Sequence, residues 1–259
     1  GSGVPAEAAG SVAAAVVTGP TVGARPTVDE VAAAVGGDSV VAGTGIDAAV
    51  VGVDLAMLLF LSTPPARWTT VNGFDSSVAA TLRAESTAGR RLAARTSDVL
   101  VAGLLVYPWF DAVAVTGLMR DSPRSAEQMA FVDGQAFAIT GLVKLTVEQL
   151  LPRHRPFVPR CTPKGDPRVP TAADPSTVGG DEASAEDYPH CHEDRERRSF
   201  FSGHSAFSFT SAGLTCAHHL NIEPYGNGGA IACASTLAIA TTVALLRIVA
   251  DEHHASDVL

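Results

Sequence analysis

Long apolar segments constrain the fold of this chain more than any other feature of its sequence. Two of them, Ser205–Leu220 and Gly229–Val249, are nearly uniform in polarity around a helix, and the second carries no charge before Arg247. About 20 apolar residues suffice for a helix to cross a bilayer. Further apolar segments that carry a few charged side chains are 41–62, 97–119 and 129–151. The pattern predicts an all-α bundle of about five to six long apolar helices, and it favours a membrane-embedded bundle over a water-soluble one.

Composition agrees with a membrane bundle and excludes one class of partner. Of the 259 residues, 46% are hydrophobic and only 17% are charged, and the formal net charge is -9. Nucleic-acid-binding surfaces need a basic patch, so we expect no nucleic-acid partner. Residues 1–40 are rich in Ala, Gly and Val and form a low-complexity segment. We expect the helical domain to span residues 41–259, in contact with membrane lipids.

The polar end of the last apolar segment carries a distinctive pattern. Arg247, His253 and Asp257 follow R-x5-H-x3-D within RIVADEHHASDVL. A guanidinium group offers forked donors to phosphate oxygens, a carboxylate can hold an imidazole in one tautomer, and an oriented imidazole can attack phosphorus. The pattern therefore indicates a phosphate-handling site, although it is weak when taken alone.

Two earlier motifs make this interpretation specific. The pair Arg155-Pro156 comes first, and the SGH motif at residues 202–204 follows within SFFSGHSAFSF. The order and spacing of the three motifs resemble those of the type 2 phosphatidic acid phosphatase superfamily, which includes lipid phosphatases, bacterial acid phosphatases and vanadium haloperoxidases. The resemblance covers Glu148–Leu259. It implies a helical phosphatase with its active site at one end of the bundle.

The resemblance also implies a role for each matched residue. His253 would attack the phosphoester and form a phosphohistidine, Asp257 would orient His253, and His204 would protonate the leaving alcohol and then activate water. The phosphoryl oxygens would be bound by Ser202, the backbone N–H of Gly203, Arg155 and Arg247. No metal and no cofactor are expected, because guanidinium groups and amide dipoles meet the developing charge. The substrate would be a small phosphomonoester or a phosphorylated lipid.

The first motif departs from the superfamily at one position. That motif reads K-x6-R-P, and counting back from Arg155 puts Glu148 where a phosphate-binding lysine is expected. A carboxylate facing a phosphate dianion is repulsive, by about 1 kcal/mol at ~4 Å in water and by several times more in a drier site. Lys144, one helical turn earlier, either substitutes for the missing lysine or forms an ordinary salt bridge with Glu148. Arg153 is a second candidate accessory cation.

Two other functions would use the same residues. A catalytically degenerate membrane protein would bind a phosphorylated lipid without hydrolysing it, and Glu148 is the kind of change that such a site shows. A vanadium-dependent haloperoxidase would hold vanadate in the same pocket, but it would need the missing lysine more acutely. The retained motif residues favour the phosphatase.

Helix order brings the three motifs to one side of the bundle. The helix that ends near Leu151 leads to Arg155, the loop 157–201 returns to Ser202, and the next hairpin brings back Arg247. A further helix is expected to begin near Ala255, just where the chain stops, so the domain is expected to be truncated before its last helix.

The side of the membrane is a separate question. The resemblance implies a multi-pass protein of the bacterial cytoplasmic membrane with an extracytoplasmic site, and a soluble periplasmic protein is the second choice. The segment 64–96 shares the face of the site and contains Arg67, Arg83, Arg90, Arg91 and Arg95. The positive-inside rule favours a cytoplasmic position for such a segment. An amphipathic helix near lipid headgroups would reconcile the two expectations.

Cysteines and the remaining histidines give weaker signals. Cys161 and Cys191 both fall in the polar loop between the first two motifs and form a candidate disulfide, which would suit an oxidising compartment. Cys216 and Cys233 lie in the apolar helices, far from the motifs, and are interpreted as buried small apolar residues. Neither PHCHED nor the pair His218-His219 has partners at a recognised metal-binding spacing, so no metal site is predicted.

Overall fold

The computed structural model describes Trp68, residues 70–158 and residues 194–258. These residues form α1 (Gly73–Leu82), α2 (Thr87–Phe110), α3 (Pro123–Leu150), α4 (Gly203–Asn221), α5 (Gly229–Val249) and α6 (Ala255–Val258). A π-helix, Asp111–Met119, continues α2, and 3-10 turns at Asp194–Arg197 and Gly226–Gly228 precede α4 and α5. No β-strand forms within these residues. The predicted all-α fold is therefore confirmed.

The long helices are fewer than the expected five to six in the described part of the chain. They are α2 with its π-helical continuation, α3, α4 and α5, whereas α1 and α6 are short. The apolar segment 41–62 lies outside the described residues, as do Cys161 and Cys191. The last helix, α6, begins at Ala255, where the sequence predicts a further helix.

The bundle is built around α4, which packs against α2, α3 and α5, while α2 also packs along α5. Its core contains Leu104, Ala212, Ala240 and Val243, which are mostly small side chains that let helix backbones approach closely. The hairpin between α4 and α5 requires Gly229, because a Cβ atom there would lie 2.3 Å from the carbonyl oxygen of His219. The connection returns the chain from the far end of the bundle to the end that carries the motifs.

Within the described residues, three helical segments are long and apolar enough to cross a membrane: Thr87–Met119, Pro123–Leu150 and Gly226–Val249. Their exposed apolar side chains include Val99, Leu118, Ile139 and Ile231, which is the outward pattern that lipid contact favours. The sequence also marks Ser205–Leu220 as uniformly apolar, but α4 does not meet the same description. It is the central helix, and it turns small polar side chains, among them Ser208 and Ser211, into the bundle.

Charged side chains inside the apolar helices are paired with one another. Asp111 on the π-helix accepts hydrogen bonds from Tyr225 and from His219, the latter at 2.7 Å. On the neighbouring face of α4, His218 lies 2.8 Å from the carboxylate of Asp133 on α3. An unpaired charge in an apolar interior is costly, so these pairs explain how the apolar helices tolerate Asp111 and Asp133. They also give His218 and His219 carboxylate partners.

A disulfide between Cys216 and Cys233 joins α4 to α5, with the two Cα atoms 4.4 Å apart. The interpretation of these two cysteines as separate buried apolar residues is therefore wrong. The short α4–α5 connection makes the helices neighbours, so residues 17 positions apart in sequence face each other. The bond lies toward the end of the bundle opposite to the motifs.

This bond gives a first prediction, on stability. Closing a loop of this size is expected to stabilise the fold by about 3 kcal/mol, through the reduced entropy of the unfolded chain. We therefore expect Cys216→Ser, and equally the Cys216→Ser/Cys233→Ser double variant, to unfold at a clearly lower temperature in detergent under non-reducing conditions. Addition of reductant should lower the melting temperature of the wild type but not that of the double variant. Equal melting of wild type and double variant without reductant would contradict the assignment.

Candidate active site

The residues of the three sequence motifs meet at one end of the bundle. Arg155 follows α3, Ser202 caps the start of α4, and Arg247 lies in the last turn of α5. Backbone hydrogen bonds join these segments: the N–H of Ser202 donates to the carbonyl of Asp257 at 2.8 Å, and the N–H of Arg155 donates to the carbonyl of Glu196 at 2.9 Å. Residues separated by up to a hundred positions are thus held in one place by main-chain contacts.

A tight turn after α5 presents His253. Asp251 adopts the left-handed conformation, with φ of 63°, and reverses the chain. The N–H groups of Glu252 and His253 then donate to the carbonyl of Arg247, at 3.1 and 3.3 Å. His253 is consequently fixed to the end of the helix that carries Arg247, although the two residues lie on different elements.

His253 is buried, and one of its two ring nitrogens is already engaged. Nδ1 donates to the carbonyl oxygen of Ser199 at 2.8 Å, whereas the nearest carboxylate oxygen of Asp257 is 3.9 Å away. A hydrogen on Nδ1 leaves the Nε2 lone pair for chemistry. Burial, and then the positive charge of Arg155, lower the pKa of His253 to about 3. The imidazole is therefore neutral near neutral pH, which is the state that a nucleophile requires.

Asp257 acts on His253 through Ser199 rather than by a direct hydrogen bond. Its carboxylate accepts from the Ser199 hydroxyl and from the backbone N–H of His254. Burial opposes its ionisation, but the nearby His253, the Ser199 hydroxyl and Arg153 hold the pKa of Asp257 at about 2. The carboxylate is thus charged at neutral pH. It holds Ser199 in place, and the Ser199 carbonyl orients the imidazole of His253.

The structure places Arg153, the second candidate accessory cation, in a buried ion-pair cluster and not beside Arg155 and Arg247. Its side chain is 1% exposed and donates to Asp257 at 2.5 Å and to Asp75 of α1 at 2.6 Å. The guanidinium also stacks over the ring of Trp68, 4.0 Å from the ring centre. Both terminal nitrogens of Arg153 donate to buried carboxylates. Arg153 therefore stabilises the packing of α1 and α6 beside the site.

The other two arginines of the motifs face acidic side chains. Glu252 accepts from Arg155 and lies 3.3 Å from Nη2 of Arg247. On the other side, Asp98 of α2 lies 3.4 Å from Nη1 of Arg247 and 2.8 Å from Nε2 of His204. Burial, followed by the positive charge of Arg247, lowers the pKa of His204 despite this carboxylate partner.

Ser202 and Gly203 form the start of α4. Ser202 is fully buried, and its hydroxyl oxygen accepts from the N–H of Ser205 at 3.4 Å, as an N-terminal cap. The acceptor role leaves the O–H as a donor for another oxygen. Backbone N–H groups at a helix start point outward and carry partial positive charge, which suits an anion.

Lys144 lies beside this helix start. Its ammonium group donates to Glu148 at 2.8 Å, which is the ordinary i,i+4 salt bridge that the sequence allows. The same side chain crosses Gly203, since a Cβ atom on that glycine would lie 3.2 Å from Cε of Lys144. Glu148 is buried and Lys144 is half-buried, so the pair holds a cation next to the backbone of the SGH motif.

Four important residues were missed by reasoning from the sequence: Asp75, Asp98, Ser199 and Glu252. Glu252 and Ser199 lie next to motif residues, and their polar character was visible, but nothing in the sequence shows which way they point. Asp75 and Asp98 are distant in sequence, and only packing of α1 and α2 against the motifs brings them in. Among the described residues, no group of three or more His, Cys, Asp or Glu side chains is arranged to hold a metal ion.

Comparison with known proteins identifies the family. A family model described as the PAP2 superfamily matches residues 129–259, just over half of the 259-residue chain. The chain belongs to the PAP2 superfamily. Membership in the PAP2 superfamily implies phosphatase-type activity, and the match includes every motif residue as well as Lys144 and Glu148. No curated protein and no solved structure matches the chain.

The buried Arg153 cluster gives a second prediction. Removing one partner from a buried ion pair leaves an uncompensated charge and costs about 3–5 kcal/mol. We expect Asp75→Asn to lower the free energy of unfolding by an amount of this order at neutral pH. Burial opposes the ionisation of Asp75, but hydrogen bonds from Ser256 and Arg153 lower its pKa overall. The wild-type advantage should therefore be present above the unfolded-state pKa of ~3.9 and disappear as the pH falls through the lower folded-state value.

Thermal unfolding in detergent measures this effect, and Asp121→Asn is the matched control. Asp121 is exposed and has φ of 52°, a conformation that asparagine adopts readily. The control removes one carboxylate charge without touching Arg153. If Asp75→Asn had the same melting temperature as Asp121→Asn, the stabilising role of the cluster would be disproved.

Proposed function

We propose that the chain is a metal-independent phosphatase that hydrolyses a phosphomonoester or a lipid phosphate or diphosphate through a phosphohistidine on His253. One observation carries the proposal. A neutral, buried imidazole has its Nδ1 hydrogen held by the Ser199 carbonyl, and its pKa is lowered partly by the adjacent Arg155. A histidine in that state, beside cationic groups suited to phosphate, is equipped to attack phosphorus through Nε2.

In the first step, Nε2 of His253 attacks phosphorus while the bond from phosphorus to the alcohol oxygen breaks. His204 gives its proton to that oxygen, and the alcohol leaves. In the second step, His204 takes a proton from a water molecule, which attacks phosphorus and breaks the phosphorus–nitrogen bond. Inorganic phosphate leaves, and His253 and His204 return to their starting states.

Anion-binding groups surround this path. Arg155, Arg247, the Ser202 hydroxyl and the Gly203 N–H bind the phosphoryl oxygens, and the start of α4 adds its dipole. His204 must be protonated for the first step. Before substrate binds, the Asp98 carboxylate 2.8 Å from its Nε2 favours the charged imidazole, and the approaching phosphate dianion then takes over this role.

Lys144 supplies the cation that the sequence lacks at position 148. The support is its contact with Gly203, because the ammonium nitrogen would lie 3.9 Å from a Cβ atom on the residue whose amide is proposed to bind phosphate. Glu148 then holds Lys144 instead of facing the substrate, and the 2.8 Å salt bridge supports this arrangement. The departure from K-x6-R-P is thus a displacement of the lysine by one helical turn.

The bundle is proposed to sit in a membrane with this site at one surface. Support comes from three helices of membrane-spanning length and composition and from the exposed apolar side chains along them. The arginines, histidines and carboxylates of the candidate site gather at the motif end. By resemblance to the superfamily, that end faces the extracytoplasmic side of a bacterial cytoplasmic membrane.

A third prediction tests the mechanism. Purified chain in detergent with chelator should release phosphate from phosphatidate, an isoprenyl diphosphate or a chromogenic monoester. His253→Ala should abolish release, whereas His204→Ala should allow phosphorylation of His253 by a substrate with a good leaving group but block hydrolysis. Mass spectrometry and acid treatment should then reveal an acid-labile phosphate on His253. Full activity after His253→Ala would rule out the mechanism, and silence of the intact chain with substrate binding retained would favour a lipid-phosphate-binding protein.

A fourth prediction concerns Lys144. Lys144→Met keeps the length and apolar stem of the side chain but removes its charge, so kcat/KM should fall about 100-fold, as for loss of one oxyanion-binding donor. Lys144→Arg should retain a larger share of activity. Glu148→Gln should change kcat/KM far less than Lys144→Met, because it leaves the ammonium beside Gly203.

The double variant Lys144→Met/Glu148→Lys places the lysine at the position expected from the superfamily motif. It should recover activity relative to Lys144→Met. Wild-type activity in Lys144→Met would show that the pair is only a structural salt bridge.

A further inference from the structure

Carboxylates fill the positions where the site would need to bind phosphate. Glu252 bridges the two arginines: it accepts from Arg155 and lies 3.3 Å from Arg247. Glu252 side-chain exposure is 16%, so it is largely enclosed with these partners. A carboxylate presents two oxygens to guanidinium groups much as a phosphoryl group does. A carboxylate of the chain itself therefore engages both arginines.

Asp98 contributes a second carboxylate from another helix. Its Oδ1 lies 2.8 Å from Nε2 of His204 and 3.4 Å from Nη1 of Arg247. Together, Glu252 and Asp98 contact the two arginines and the histidine that the proposed mechanism assigns to the phosphoryl group and the leaving alcohol. Neither acid belongs to the three motifs.

Substrate phosphate and these carboxylates cannot occupy the donors together. Like charges about 4 Å apart repel by about 1 kcal/mol in water and about 4 kcal/mol in a partly enclosed site. A phosphoryl dianion must therefore displace the Glu252 side chain. Only side-chain rotation is needed, because the backbone of Glu252 stays bonded to the carbonyl of Arg247 at 3.1 Å. After hydrolysis, the same side chain can return to the arginines as inorganic phosphate departs.

We infer that Glu252, assisted by Asp98, is an internal anion that competes with phosphate for Arg155 and Arg247 and promotes release of the inorganic phosphate product. The inference rests on the proposed role of the two arginines in phosphate binding. It assigns to Glu252 a function in selectivity and product release rather than in bond breaking. The site accordingly binds free phosphate weakly.

The test compares phosphate affinity in the intact chain, Glu252→Gln and Asp98→Asn. Inorganic phosphate is titrated by calorimetry at constant pH and ionic strength, and its inhibition constant is measured against a chromogenic monoester. Glu252→Gln is close in shape but uncharged, so phosphate should bind at least about tenfold more tightly, equivalent to ~1.4 kcal/mol. Product inhibition should strengthen in parallel, with a lower KM and a lower kcat as release becomes slower. Asp98→Asn should tighten binding by a smaller factor, since Asp98 is 58% exposed.

Glu127→Gln is the matched control. Glu127 is an exposed residue near the start of α3, whose other end leads to the site, so the variant removes the same charge at a distance. Its phosphate affinity should equal that of the wild type. Unchanged or weaker phosphate binding by folded Glu252→Gln would overturn the inference, because it would make Glu252 a residue that merely positions the arginines.

The outcomes separate this inference from the proposed phosphatase activity. Tighter phosphate binding by Glu252→Gln, in a chain that hydrolyses no substrate, would support the internal anion and count against the phosphatase. Hydrolysis by the wild type with no gain in affinity would do the reverse. Absence of phosphate binding in every variant, together with no hydrolysis by the wild type, would overturn both.

Discussion

The buried guanidinium of Arg153 is the interaction on which the motif end of the bundle depends. It joins Asp75 on α1 to Asp257 on α6 and stacks on Trp68, with both carboxylates fully enclosed. Buried charges of this kind are stable only as a complete set, because each is costly without the others. This interaction therefore holds together α1, the segment after α3 and α6, which are far apart in sequence. The turn that carries His253 directly precedes α6.

From this cluster a chain of hydrogen bonds leads to His253, the proposed nucleophile. Arg153 donates a hydrogen bond to Asp257, and Asp257 accepts one from the Ser199 hydroxyl. The Ser199 carbonyl in turn accepts a hydrogen bond from Nδ1 of His253. The Asp257 carboxylate thus acts on the His253 imidazole indirectly, through Ser199. The backbone carbonyl defines the tautomer, while the carboxylate defines where that carbonyl lies.

Carboxylates are paired with basic side chains at both ends of the bundle. At the far end, Asp111 and Asp133 are paired with His219 and His218 within apolar helices. At the motif end, Lys144, Arg155 and Arg247 each have a carboxylate partner: Glu148, Glu252, and Glu252 with Asp98. The first set lets apolar helices carry charge. The second holds the cations of the proposed phosphate site in place through ion pairs within the chain.

What the sequence determined by itself is the helical class and the family. Apolar length predicts helices because a long run without polar residues can satisfy its backbone only internally, and the motif spacing identified the residues that gather at one end. The bounds of α3, α4 and α5 agree with the apolar segments to within six residues, whereas α2 begins at Thr87, ten residues before the segment 97–119. The sequence did not show that α4 is the central helix with polar side chains inside.

Only the tertiary structure decided which side chains face each other. Arg153 and Arg155 differ by two positions and look alike in sequence, yet one is buried against Asp75 and the other faces Glu252. In sequence, Cys216 and Cys233 resemble isolated apolar residues. In the structure, the α4–α5 hairpin places their Cα atoms 4.4 Å apart, and they form a disulfide. Spacing along one helix is set by local geometry, so the Lys144–Glu148 pair was predictable. Pairing between helices depends on the packing of the whole bundle, and no local pattern encodes it.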